Sequence, residues 1–85
     1  MAKLVITRAN GDVSEHKLTP SIEYAFEQYA KKGFARAFAE DQKQSDIYWL
    51  AWKCLSKTED VALFGEKFID TLAKVEVVDD SSPNS

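Results

Sequence analysis

Eighty-five residues, 45% hydrophobic and 29% charged, carry the composition of one globular domain and leave no length for a second. A net charge of −3, with Lys and Arg interleaved among acids, argues against the basic stripe of a nucleic-acid binder. One cysteine and one histidine rule out an intrachain disulfide and fall short of a zinc centre, which takes about four ligands.

A domain this small buries only about 60–65% of the surface its unfolded chain exposes. It therefore depends on close packing or on a partner, and two Trp, three Tyr and five Phe suit either. The apolar run in residues 1–6 is too short for a signal peptide, and no run approaches a membrane span. A cytoplasmic site is expected, with no membrane or nucleic-acid partner.

In chain order, residues 3–8 (KLVITR) and 13–18 (VSEHKL) flank Ala9-Asn10-Gly11-Asp12. Asn-Gly accepts the positive φ of a tight turn, so residues 3–18 read as a β-hairpin. A two-residue turn pairs Arg8 with Val13, placing Leu4, Ile6 and Val13 on one face and Val5, His16 and Leu18 on the other. Thr19 then caps a helix over 20–32, with Pro20 at its first position. Ile22, Ala25, Phe26, Tyr29 and Ala30 share its inner arc. Glu27 and Lys31 suit an i,i+4 pair on the wet face, and Gly33 is placed to end the helix in a left-handed conformation. A short helix over 34–39 stacks Phe34 on Phe38.

Asp41 or Ser45 is placed to cap the next helix, over 42–56. Its segment SDIYWLAWKCLS is apolar round roughly 260° of the wheel, against ~100° for an ordinary surface helix. Such a helix is either central to the fold or presents a second apolar face to a partner. A last helix over 64–74 puts Phe64, Phe68, Ile69 and Leu72 on one side. Residues 75–78 alternate, which suits a short strand that completes a sheet with the hairpin; the alternative is that the exposed edge of the hairpin pairs between subunits. Residues 79–85 (DDSSPNS) have nothing to bury and are expected to be disordered. The fold class is α+β: an N-terminal β-hairpin and a mainly helical bundle of three to four helices in residues 1–78, then a disordered acidic tail.

His16 is the one candidate imidazole base, and among polar strand residues it reads as a surface histidine. Cys54 lies between apolar neighbours at helical spacing and reads as inert packing. Glu40, Asp41 and Asp46 cluster without the partners of a metal site, and no glycine-rich phosphate loop is present. No catalytic, cofactor-binding or metal-ligating residue is assigned, and the expected activity is binding of other proteins. The positive signal is aromatic. Tyr48, Trp49 and Trp52, with Leu50, sit on the wide apolar helix, and Tyr24 lies off the inner arc of the first helix. These are the candidate contact residues, because Trp and Tyr dominate interface hot spots; for Trp49 and Trp52, core and interface both stay open.

The order of these segments resembles the short tail assembly chaperones of long-tailed, siphovirus-type bacteriophages, over about residues 4–80. The hairpin closed by Asn-Gly comes first, followed by LTPSIEYAFEQYAKKGFARAF, DQKQSDIYWLAWKCL and FGEKFIDTLAKVEVVDD. The most specific pieces are Ile22-Glu23-Tyr24-Ala25-Phe26-Glu27, the run from Asp46 to Trp52, and Phe64-Gly65 with Phe68-Ile69-Asp70-Thr71-Leu72. The resemblance implies a protein of the infected cell's cytoplasm, absent from the mature virion. It would coat apolar stretches of the tape measure protein, self-associate, and help recruit the major tail tube protein. The recruiting form in such families is commonly a longer product of a −1 frameshift. Ser82-Pro83-Asn84 is compatible with a slippery C-CCA-AAC run, which the nucleotide sequence would decide. Other readings are a structural tail or connector protein of the virion, and a small phage adaptor that binds a host protein.

Overall fold

The computed structural model describes residues 2–41 and 43–79. Strands β1 (Ala2–Arg8), β2 (Val13–Lys17) and β3 (Leu72–Asp79) form an antiparallel sheet in the order β2-β1-β3. Between β2 and β3 run α1 (Pro20–Ala30), α2 (Phe34–Arg36) continued by a π-helical turn (Ala37–Asp41), α3 (Gln44–Ser56) and the single-turn α4 (Glu66–Ile69). The expected α+β architecture is present. The sheet is larger than a hairpin, because β3 returns to pair with β1.

The hairpin turn uses three residues rather than two. Thr7 pairs with Val13. The Arg8 amide donates to the Asp12 carbonyl at 2.7 Å, and the Gly11 amide donates to the Arg8 carbonyl at 2.9 Å. Gly11 takes the positive φ (96°) that this loop class requires, and the Asn10 side-chain oxygen accepts from the Asp12 amide at 2.9 Å. Relative to the two-residue expectation, β2 slips by one position, and that reverses its faces. Ser14 and His16 join Leu4 and Ile6 on the helix side, and Val13 moves to the open side, where it is exposed.

The helix expected over 64–74 is corrected to one turn. The Asp70 and Thr71 amides donate to the carbonyls of Glu66 and Phe68, and the Thr71 hydroxyl donates to the Phe68 carbonyl at 2.6 Å. From Leu72 onward the chain pairs with β1 instead, from Arg8 opposite Leu72 to Ala2 opposite Asp79, with a register irregularity between Thr7 and Arg8. Val75, Val77 and Val78 favour a pleated, half-buried surface, and pairing with the central strand outweighs the helical spacing. Asp79 therefore ends β3; the rest of the tail expected to be disordered lies outside the described residues.

Two further local expectations change. Lys31, not Gly33, closes α1 in the left-handed region (φ 61°, ψ 33°), and Gly33 is extended. Glu27 does not pair with Lys31; its carboxylate accepts the Phe34 amide at 2.8 Å and so satisfies a donor at the start of α2. Neither Asp41 nor Ser45 caps α3, whose N-cap position is Lys43. Asp41 and Asp46 instead hold the Lys32 ammonium, at 2.7 Å and 3.2 Å. That cation ties the end of α1 to the π-helical turn and to the first turn of α3. The hydrogen bond to Asp41 is the main reason the Lys32 pKa is raised, and the same bond lowers that of Asp41.

Helix α3 lies against β1 and β3, and α1 packs onto α3. Leu4, Ile6, Leu18, Phe26, Leu50, Leu55 and Phe68 are fully enclosed, and Phe26 meets the rings of Phe34, Phe38 and Trp49 at centroid distances of 5.4–6.0 Å. The wide apolar arc of α3 is thus consumed by the sheet on one side and α1 on the other.

Candidate interaction surface

Most of the apolar surface offered by α3 is internal. Leu50 has no exposed area, and Trp49 is 8% exposed. Both are core residues, which removes them from the contact set expected on the wheel. The central position of α3 decides this: a helix covered on two sides needs an apolar arc of that width. Tyr48 is half-buried and packs against the core. Tyr24 stands 66% exposed on α1, about 140° round the helix from Tyr29, and belongs to a different surface.

Trp52 lies at the margin of a second aromatic group that does reach the surface. Tyr29, 44% exposed, stacks flat on Trp49, with centroids 4.6 Å apart and planes at 11°. Trp49 contacts Trp52 at 5.9 Å. Phe64 then closes the group edge-on against both Tyr29 (6.2 Å) and Trp52 (6.3 Å). The Trp52 indole N–H donates to the Ala62 carbonyl at 2.9 Å, which fastens the loop between α3 and α4. Next to that anchor Leu63 is 85% exposed. Leu63 is the most exposed of the large apolar side chains among the described residues, ahead of Tyr24 and Val13. The Lys53 ammonium stands 6.0 Å from the centroid of the Trp52 ring. The loop is pinned from its other end as well, where Arg8 pairs with Glu59 at 2.9 Å.

Sequence reasoning named Trp52 but missed Tyr29, Leu63 and Phe64 as one surface. The available signal was Val61-Ala62-Leu63, three apolar residues outside the expected helices, running directly into Phe64.

His16 and Cys54 line one shallow depression with Ile22 and Lys57. Burial pushes the Cys54 thiol up to about 11, which leaves it protonated and unreactive near neutrality. His16 is half-buried instead of fully on the surface, a consequence of the one-residue slip in β2. Burial, then the nearby Arg8 charge, lower its pKa against the opposing pull of Glu59. Its Nε2 is 2.9 Å from the Ser14 hydroxyl. The Glu59 carboxylate is itself paired with Arg8. Among the described residues no group of three or more His, Cys, Asp or Glu could hold a metal ion. No helix among them is long and apolar enough to cross a membrane.

Compared with known proteins, the chain matches no family model, no curated protein and no solved structure.

Proposed function

We propose that this chain works by binding proteins rather than by catalysis, as a tail assembly chaperone of a long-tailed bacteriophage. Its client is the tape measure protein, and it helps recruit the major tail tube protein, through a longer frameshifted form if one is made. It acts in the host cytoplasm and stays out of the finished virion.

The observation that carries the binding part is the 85% exposed Leu63, the chain neighbour of the Phe64 ring that closes the aromatic group of Tyr29, Trp49 and Trp52. This site combines one freely exposed leucine with rigid aromatic rings, the residue types that serve as anchors in interfaces. Its small extent suits modest affinity, which a chaperone needs if the assembling tube is to displace it. The net negative charge helps keep a loaded client in solution. The phage assignment rests on the sequence resemblance over residues 4–80.

Co-expression with a tape measure protein encoded in the same genome tests the proposal. A soluble complex is expected, and an insoluble client with nothing co-purifying would count against it. Mass spectrometry of purified particles separates the chaperone from a structural tail or connector protein, which would be present in stoichiometric amount. A pull-down that recovers a host protein, with tail assembly independent of the gene, would point to an adaptor instead.

A further inference from the structure

The two edges of the sheet are not equivalent. β2 is five residues long, is followed closely by Pro20, and has Glu15 already engaged by Lys3 at 2.9 Å. β3 is eight residues long, contains no proline, and is the last strand in the order β2-β1-β3. An open edge of that length invites another strand. Beside it, on the helix side of the sheet, runs an open groove of about 500 Å³ lined by Phe38, Ile47, Val75 and Val77, with Gln44 and Glu76 at its margins.

We propose that the occupant of this edge is a second copy of the chain, joined β3 to β3 in antiparallel fashion to give a continuous six-stranded sheet. The charges of β3 select the partner and the register. A two-fold pairing of identical antiparallel strands must place same-face residues opposite one another, so the axis passes through a residue position. With the axis at Lys74, two lysines face each other. With the axis at Glu76, two glutamates do. With the axis at Val77, Glu76 faces Val78. Only an axis at Val75 sets Lys74 of each copy opposite Glu76 of the other, twice by symmetry, with valine opposite valine between them. Opposite charges directly across a strand pair stabilise it, and like charges destabilise it.

Lys74 and Glu76 stand on the open face of the sheet, are both more than half exposed, and interact within one strand at only 3.5 Å. Both are therefore available for the cross-strand pairs. In this register residues 72–78 overlap, which allows roughly six main-chain hydrogen bonds. The grooves of the two copies then adjoin across the axis on the helix side, where Val77 and the partly buried Phe38 and Ile47 gain cover. The Leu63 surface belongs to the loop between α3 and α4 and is not part of this contact, so a dimer would present two client-binding surfaces.

This deepens the reading of the chain as a protein-binding module, and its test is independent of any client. Sedimentation equilibrium of the full chain over a concentration series is expected to show a monomer–dimer equilibrium. Lys74→Glu and Glu76→Lys, both exposed substitutions, should each weaken dimerisation about tenfold, and the double exchange should restore it. Circular dichroism checks that each variant stays folded. A wild-type monomer at every concentration overturns the proposal, as does a dimer indifferent to both single exchanges. Loss of client binding by an intact dimer counts against the chaperone reading and leaves this pairing standing.

Discussion

Leu50 and Leu63 lie thirteen positions apart, and of the two only Leu50, on the wide apolar helix, stood among the contact residues expected from the sequence. The structure gives them opposite roles: Leu50 is fully enclosed on α3, and Leu63 is 85% exposed. Leu50→Ala removes buried methyl groups and leaves a cavity between α3 and its neighbours, a change that costs about 2–5 kcal/mol. A domain of this length has a total stability of roughly 4–13 kcal/mol at ~0.05–0.15 kcal/mol per residue. Leu50→Ala is therefore expected to leave the protein marginal. Leu63→Ser removes a side chain that already meets water and should fall within about 0.5 kcal/mol of wild type.

Urea unfolding followed by tryptophan fluorescence reads both, since Trp49 lies in the core and Trp52 at its margin. With a slope near ~1 kcal/mol per molar urea for a small domain, the Leu50→Ala midpoint should fall by about 2 M or more. The Leu63→Ser midpoint should move by less than about 0.5 M. A Leu50 variant as stable as wild type, or a Leu63 variant that unfolds with it, would show that the packing around α3 is wrong.

Lys31→Gly relieves a side-chain-bearing residue of its left-handed conformation and should stabilise the fold by up to ~1 kcal/mol, or a few degrees in Tm; an unchanged or lower Tm contradicts the αL ending of α1. The His16 pKa is lowered from 6.5 in the folded chain, so the folded state binds a proton less readily than the unfolded state. The associated stability is fully present above 6.5 and is lost as pH falls through the lower folded value. His16→Gln should flatten the fall in urea midpoint between about pH 7 and pH 5.5, and an identical fall in the variant would place the titrating group elsewhere.

The parts of this fold that were legible in the sequence are those set by short-range chemistry. Asn10-Gly11 marked the hairpin, and Thr19-Pro20 marked the start of α1. The parts that were not legible turn on choices between near-equal local options. Two- and three-residue turns both accept Asn-Gly, yet they differ by one position in register and so reverse every side chain of β2. Phe64, Phe68 and Leu72 fit a helix, and only the distant β1, unpaired on one side, makes Leu72 onward a strand. The breadth of the apolar arc on α3 was read correctly as ambiguous, because a hydrophobic wheel records how much surface must be covered and not what covers it. Sheet and α1 together supply that cover, and the surface candidates shift from Trp49 and Leu50 to Trp52 and the loop beside it. Leu63 escaped notice because a single leucine in a short connection carries no periodicity.

The most direct test of the proposed function is co-expression of a tape measure protein from the same genome with wild type and with Leu63→Asp, each checked for folding by circular dichroism. Wild type is expected to hold the client in a soluble, co-purifying complex, and the folded Leu63→Asp variant to lose it. A client held equally well by both would contradict the role of the Leu63 surface, and a client held by neither would contradict the chaperone function itself.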